Sequence, residues 1–148
     1  MGFVLTAAER HTQRVEQLLQ TSDGAFAAQV RAHQAAVWRT ADLDSHAKAH
    51  RRDFLVHLNN TLVAAQLRAL SHDILRTWDR LFTELEPDGS VTYHFVRSLP
   101  ESGAAILVVT RGGRIRTAYP TEDLTRRLER RPALTEVTNR AKRLGLSD

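Results

Sequence analysis

The stretch Ala104-Ala-Ile-Leu-Val-Val-Thr-Arg-Gly-Gly-Arg-Ile-Arg-Thr-Ala-Tyr-Pro120 decides the fold class of this chain. Its first part is a continuous apolar run with β-branched residues, which is typical of a buried strand, and we expect it to be the central one. Gly112-Gly113 accepts the positive φ angles of a two-residue turn, so Ile115 to Tyr119 is predicted to return as the paired strand. Pro120 should stop that strand. The stretch therefore predicts an antiparallel β-hairpin.

The residues before this hairpin predict one further strand and a helical half. Val91, Tyr93 and Phe95 alternate with their neighbours, which is typical of a strand covered on one face. Upstream of that strand, apolar residues recur at the spacing of amphipathic helices. The predicted helices run over about 6–21, from Phe26 to Trp38, from Leu43 to Leu58 and from Val63 to Leu85.

The residues after the hairpin predict short helices. Thr121-Glu122-Asp123 is a cap for a helix near 122–131, and Pro132 opens another near 133–143. We therefore expect an α+β protein, in which an N-terminal helical half packs on a small three- to four-stranded antiparallel β-meander followed by short C-terminal helices. The 148 residues should form one domain, 1–148, with a helical part (1–85), the meander (91–120) and a basic helical tail (121–145).

The composition excludes several classes of chemistry. Hydrophobic residues make up 42% and charged residues 26% of the chain, as in ordinary folded proteins. The chain has no cysteine, which excludes disulfides, thiolate catalysis, iron–sulfur ligation and cysteine-ligated zinc. No apolar run reaches the roughly 18 residues of a membrane-spanning helix, and no secretion signal is visible. We therefore expect no membrane partner.

Positive charge is concentrated near the C terminus. The formal net charge is +4, and residues 111–143 hold ten arginine or lysine side chains against four acidic ones. Only two lysines are present, so nearly all of this charge is guanidinium, the group best suited to bidentate phosphate recognition. A nucleic acid or another polyanion is a plausible partner. A solvated surface in an arginine-rich chain is the alternative.

Titratable side chains follow one helix face in Ser45-His-Ala-Lys-Ala-His-Arg-Arg-Asp-Phe-Leu-Val-His57. His46 and His50 are four residues apart, and Asp53 and His57 follow one turn further along. Two imidazoles with an orienting carboxylate suit general acid–base catalysis. Structural histidines, or a divalent metal site with Asp53 as third ligand, are the alternatives. Because Ala47 stands where a zinc-protease helix has glutamate, that hydrolase class is disfavoured.

Other candidate residues lie on the predicted strands and between the histidines. Arg97 ends the first strand on the face of Phe95, where a guanidinium could hold a phosphate, although it could equally be structural. Thr117 and Tyr119 share one face and could present two hydroxyl groups to one ligand, but both residue types are common in strands. Lys48 lies between the histidines at a spacing that points it elsewhere, as a solvated lysine would.

The order of these elements resembles the toxin ribonucleases grouped with barnase, EndoU, colicin D and RelE, particularly their phage and polymorphic-toxin branches. The resemblance covers residues 43–120, and its most specific motif is Gly113-Arg-Ile-Arg-Thr-Ala-Tyr-Pro120. It implies a metal-independent endoribonuclease that cleaves RNA, with tRNA as a candidate substrate, and needs no cofactor. In such a reaction a base deprotonates a ribose 2′-hydroxyl, the oxygen attacks the adjacent phosphorus, and an acid protonates the leaving 5′-oxygen.

The resemblance also implies roles for the candidate residues. His50 maps to the helical acid or base, with His46 or Lys48 as its partner, and Arg97 maps to transition-state stabilisation. His94 is a further candidate for a catalytic histidine near the sheet. Thr117 and Tyr119 map to phosphate or base contacts. RNA-backbone contacts are expected of the basic side chains Lys48, Arg111, Arg114 and Arg116.

Partners and location follow from the same resemblance. A toxin ribonuclease acts in the cytoplasm and is neutralised by an immunity or antitoxin protein, which should be acidic where it covers a basic site. Delivery within a larger secreted toxin stays open, and the sequence predicts no oligomeric state. The alternative function is a non-catalytic nucleic-acid- or protein-binding module with structural histidines. An immunity protein is disfavoured because this chain is basic.

Overall fold

The computed structural model describes residues 4–58, 62–100, 103–131 and 133–148. In these ranges the helices are α1 (Ala7–Leu19), α2 (Asp23–Gln34), α3 (Thr40–Ala49), α4 (Arg51–Leu58), α5 (Ala64–Arg76), α6 (Leu124–Glu129) and α7 (Thr138–Arg143). The strands are β1 (Arg80–Leu85), β2 (Val91–Ser98), β3 (Ala105–Arg111), β4 (Arg114–Thr121) and β5 (Thr135–Glu136). The α+β class is confirmed. No helix of the described ranges is long and apolar enough to cross a bilayer.

The strands form one antiparallel sheet in the order β4-β3-β2-β1-β5. It has five strands instead of the predicted three or four, because β1 and β5 extend the meander. β2 occupies the centre, so the prediction of a central strand over 104–109 is wrong by one position. From Thr92 to Val96 β2 is buried on both faces, not on one. The hairpin is confirmed, with Gly112 at φ 58° in its turn.

The helix predicted from Val63 to Leu85 is wrong in its second half. α5 ends at Arg76, and β1 then pairs with β2 through the whole of its length. The pattern of apolar residues at Leu81 and Leu85 with Thr83 between them fits an alternating strand and a helical stripe equally well. Local periodicity therefore does not distinguish a strand from a helix here. Pairing with an already buried strand decides in favour of β1.

The C-terminal segment is less helical than predicted. α6 falls inside the predicted helix near 122–131, but 135–136 forms β5 on the outer edge of β1, and α7 begins only at Thr138. Pro132 lies outside the described residues. α7 is tied to α2, because Arg140 and Arg143 both donate hydrogen bonds to the carboxylate of Asp23. These two arginines of the basic tail therefore hold the fold together.

The sheet carries a different apolar layer on each face. On one face, called here the helical face, Phe95 and Val108 pack in one cluster with Leu67 of α5. On the opposite face, called the α6 face, Leu107 packs in a second cluster with Leu124 of α6. Side chains that alternate along a strand point to opposite faces, so neighbouring residues of β2 and β3 serve different layers.

The helix predicted from Leu43 to Leu58 is two helices that meet at His50. α3 ends at Ala49, and His50 is its C-cap with φ −104° and ψ 12°. The amide of Phe54 still donates to the His50 carbonyl at 3.0 Å, so the two helices follow one another closely. α4 packs against β4. This packing brings the histidine segment to the edge of the sheet.

Candidate functional site

His50 is oriented by a carboxylate one turn further along the chain. Its Nδ1 lies 3.2 Å from Oδ2 of Asp53, and 28% of its side chain is exposed. Because an ionised carboxylate only accepts hydrogen bonds, the Nδ1 of neutral His50 carries the proton, which leaves the Nε2 lone pair available as a base. This is the local geometry that general acid–base catalysis uses.

His46 lies beside His50 in the same arrangement. Its Nδ1 lies 2.8 Å from the carbonyl oxygen of Asp42, so its Nε2 is also the available nitrogen. The His46 ring packs against Trp38 at 5.1 Å between centroids and against His50 at 5.9 Å. The expected pair of imidazoles on one face is therefore present.

Tyr119 connects these histidines to α6. Its ring lies 5.8 Å from the His50 ring with 28° between the planes, and the Arg127 guanidinium lies 4.4 Å above the Tyr119 centroid. The Tyr119 hydroxyl is buried and has no hydrogen-bond partner in the described residues. Both Thr117 and Tyr119 are partly exposed, but the Tyr119 hydroxyl itself is buried, so the geometry does not support two hydroxyl groups on one ligand.

A basic cleft of about 550 Å³ opens beside this cluster. α4 lines one side of it with Asp53 and His57, and the end of β4 contributes Pro120 and Thr121. Four guanidinium groups line the other side. They belong to Arg126, Arg127, Arg130 and Arg131. We call this space the α6 cleft.

Three carboxylates, those of Asp53, Glu122 and Asp123, also line the α6 cleft, so its positive charge is only partly neutralised from within. Arg131 donates to the carboxylate of Glu84 at 2.9 Å. The Asp123 carboxylate accepts the Arg126 backbone amide and caps α6. Arg127 has no carboxylate partner among the described residues. Burial and the nearby Arg131 lower the pKa of the Arg127 guanidinium, as expected of a charge with no acidic neighbour. An anion such as phosphate would supply a counter-charge.

Arg97 lies apart from this site. It pairs with Ile106 in the sheet and therefore belongs to the helical face, whereas Tyr119 pairs with Leu107 on the α6 face. Its guanidinium donates to the Asp73 carboxylate at 2.8 Å and to the Thr77 carbonyl at 2.7 Å. The structure therefore corrects the role expected of Arg97, since these bonds hold β2 to the end of α5.

The predicted RNA-binding residues fall in two other places. Lys48 lines a recess of about 300 Å³ between α3 and the start of α5, and does not line the α6 cleft. The arginines of the β3–β4 hairpin line a third space, of about 360 Å³, with Arg39. They are Arg111, Arg114 and Arg116. We call this space the hairpin cleft.

His94 is a buried histidine on the α6 face. It is 2% exposed, and neither ring nitrogen has a hydrogen-bond partner within the described part of the chain. Burial, with Arg131, Arg127 and Arg116 nearby, lowers the pKa of His94 to about 3. The ring is thus neutral near pH 7 and closed to solvent. This geometry does not support His94 as the second catalytic histidine.

No group of three or more histidine, aspartate or glutamate side chains in the described ranges is placed to hold a metal ion, so the geometry gives no support to a metal site at His46, His50 and Asp53.

Sequence reasoning does not single out Arg127. The available signal is the run of four arginines in Arg126-Arg-Leu-Glu-Arg-Arg131, which charge counting treats only as part of a basic tail.

Comparison of the chain with protein-family models, with curated proteins and with solved structures finds no match. The candidate site therefore stands on its own geometry: an imidazole pair, one of them held by a carboxylate, beside an aromatic ring and an unneutralised guanidinium at the wall of a basic cleft.

Proposed function

We propose that this chain is an endoribonuclease that cleaves RNA without a metal ion, by attack of a ribose 2′-hydroxyl on the adjacent phosphate. The observation that carries the proposal is the position of the His50–Asp53 pair, stacked on Tyr119 at the side of the α6 cleft. The Arg127 guanidinium contacts the same Tyr119 ring, and we expect it to hold the phosphate.

The proposed reaction needs two proton transfers and one charge stabiliser. One imidazole of the His46–His50 pair takes the proton of the 2′-hydroxyl, and the other gives a proton to the leaving 5′-oxygen. The products are a 2′,3′-cyclic phosphate and a 5′-hydroxyl end, so no water is consumed. Arg127 stabilises the negative charge that develops on the phosphorus oxygens, the role that the sequence resemblance implied for Arg97.

The cleft also supplies affinity that does not depend on sequence. Guanidinium groups that neutralise phosphates release counterions, so binding should weaken steeply as salt rises. A nucleic-acid-binding module without catalysis would share this property, because the same arginines serve both functions. The two functions differ only in turnover and in the effect of removing His50.

The test is incubation of the purified protein with total RNA and tRNA in the presence of EDTA. We expect cleavage to 2′,3′-cyclic phosphate ends, and a loss of about 10²- to 10⁴-fold in rate for His50→Ala. Asp53→Asn should lower the rate less, since the imidazole stays. His72→Ala is the matched control, because His72 is exposed on α5 and does not line the α6 cleft.

Three results would contradict the proposal: RNA left intact by the native protein, cleavage that EDTA abolishes, or a His50→Ala variant as active as the His72→Ala control. Circular dichroism should establish that both variants are folded. Binding without cleavage would leave the α6 cleft as a nucleic-acid-binding surface, which is the function of the non-catalytic alternative.

A further inference from the structure

The histidine segment follows β4 from one end of the strand to the other. Just before α3, Val37 exchanges backbone hydrogen bonds with Gly113 and Ile115, at 3.0 and 2.9 Å, in a parallel bridge. Further along, His50 stacks on Tyr119, and at the end of α4 His57 lines the α6 cleft with the last residues of β4. α3 and α4 thus form a seam with the strand, which we call the β4 seam.

The β4 seam has a basic cleft at each end. At its start, Arg39 and Arg114 are exposed in the hairpin cleft. Arg111 lies in the same cleft and pairs with Asp88, which is exposed and screened by solvent. At its end, the α6 cleft presents the arginines described above. The positive groups therefore lie on both sides of the imidazole pair.

A β-bulge adds a further basic group along the seam. The pairing of β3 with β4 shifts between Val109 and Thr110, so that Val109 pairs with Thr117 and Thr110 with Ile115. Arg116 is the extra residue of this bulge. Its guanidinium is 55% exposed and lies 4.0 Å from the Glu86 carboxylate, a weak pair that an RNA phosphate can replace.

We propose that single-stranded RNA lies along the β4 seam, with phosphates in the hairpin cleft and in the α6 cleft and the scissile phosphate between them at His50. This inference rests on the proposed function and names its substrate class. The eight residues of β4 span about 23 Å. A single strand of that length falls within the site sizes of about 4–16 nucleotides that basic grooves of single-strand-binding proteins cover.

A single strand fits this site better than a duplex for two reasons. The two imidazoles are partly buried between α3, α4 and β4, whereas A-form RNA presents a wide, shallow minor groove to a protein. In addition, a 2′-hydroxyl must turn in line with the leaving 5′-oxygen before it attacks, and a flexible strand reaches this conformation more readily than a stacked helix. Unpaired loops and ends of RNA meet both requirements.

The experiment measures binding without turnover, by using 2′-O-methyl oligoribonucleotides that lack the attacking hydroxyl. Fluorescein-labelled single strands of about 4 and about 12 nucleotides, and the duplex of the longer one, are titrated with native protein by anisotropy. We expect the longer strand to bind at least about tenfold more tightly than the shorter strand, and more tightly than the duplex, because it reaches both clefts.

A double variant tests how much the hairpin cleft contributes to RNA binding. Arg39→Ala with Arg114→Ala should weaken binding of the longer strand by about tenfold, lower its salt slope by about 0.7 for each phosphate that the protein no longer neutralises, and leave binding of the shorter strand unchanged. Arg68→Ala is the matched control, because Arg68 is exposed on α5 and lines neither cleft. Equal affinity for both lengths, a duplex bound as tightly as the strand, or a double variant that behaves like the control would overturn the inference.

The outcome for the seam is distinct from the outcome for catalysis. If the longer strand binds as expected but cleavable RNA stays intact, the β4 seam is a single-strand-binding surface and the proposed function fails. If RNA is cleaved but affinity does not depend on length or on Arg39 and Arg114, the proposed function stands and the seam fails.

Discussion

The two faces of the sheet are formed by alternate residues of the same strands, but they bury different kinds of side chain. On β2, Phe95 and Arg97 belong to the helical face, where an apolar cluster and a complete set of hydrogen bonds join the strand to α5. His94, the neighbour of Phe95 on the α6 face, has no hydrogen-bond partner for either ring nitrogen in the described residues, and its Nε2 lies 3.8 Å from the Glu84 carboxylate. Among the described residues, the buried side-chain atoms without a hydrogen-bond partner therefore lie on the α6 face. We expect the helical face to supply most of the stability, and we place the proposed chemistry at the edge of the sheet beside α6.

The largest effect expected from this comparison is on stability, from core truncation. Phe95→Ala should lower the free energy of unfolding by about 3–5 kcal/mol, because Phe95 is fully buried among Trp78, Tyr93 and the helices. Leu128→Ala on α6 should cost only about 1 kcal/mol, since Leu128 is partly exposed. Urea unfolding followed by circular dichroism measures both. Equal losses would break the assignment of stability to the helical face.

The next prediction distinguishes a structural role for Arg97 from an RNA-binding role for Arg127. Arg97→Ala should lower the free energy of unfolding by about 1.5–3 kcal/mol, the range for hydrogen bonds to charged groups, and leave RNA affinity unchanged. Arg127→Ala removes only its contact with the Tyr119 ring, worth about 0.5–1 kcal/mol, but should weaken RNA binding and lower its salt slope by about 0.7. Unfolding curves and salt-dependent anisotropy test the pair. The assignment is wrong if Arg97→Ala affects RNA binding more than Arg127→Ala does.

The smallest effect, counted for one histidine and one pH unit, concerns the two buried histidines. Burial lowers the pKa of His33, on the helical side, to about 4 and that of His94 to about 3, from an ordinary value of 6.5. Below that ordinary value the unfolded chain binds protons that the folded chain excludes, so stability falls as pH falls from 6.5 towards 4. Each histidine contributes at most about 1.4 kcal/mol per pH unit. Urea unfolding at several pH values measures the slope.

His94→Phe sharpens this last prediction. The change removes two buried nitrogens that make no hydrogen bond in the described residues, so it should raise the free energy of unfolding by about 1 kcal/mol at neutral pH and by more in acid. It should also remove one of the two contributions to the pH slope. His33 keeps its hydrogen bond of 2.8 Å to Thr110 and serves as the comparison. A destabilised variant would indicate that His94 has a polar role on the α6 face.

The elements foreseen from the sequence are those that local chemistry decides. Gly112-Gly113 forms its hairpin because the turn needs positive φ, and Asp123 caps α6 with its own carboxylate. β1 is not foreseen because Leu81 and Leu85 satisfy a helical and an alternating pattern equally. Only pairing with β2, a long-range interaction, decides between the two patterns.

In the candidate site, too, sequence spacing predicts only the local contacts. The contact of His50 with Asp53 follows from their three-residue spacing, and the proximity of His46 follows from a spacing of four. The contact of His50 with Tyr119 joins segments far apart in sequence, and the contact of Tyr119 with Arg127 joins β4 to the helix that follows it. No periodicity encodes them, because they depend on α4 packing beside β4 and on α6 covering the opposite face. The displacement of Arg97 from the site has the same origin.

The bridge between Val37 and the hairpin has a consequence for association between molecules. A sheet edge with open amide and carbonyl groups recruits strands from other chains and starts aggregation. Here Val37 occupies the outer edge of β4 at Gly113 and Ile115, and Pro120 near the other end has no amide hydrogen to offer. The opposite edge is β5, only two residues long. Within the described residues, both edges of the sheet are therefore poor templates for amyloid-like growth, although the strands between them are rich in valine and isoleucine.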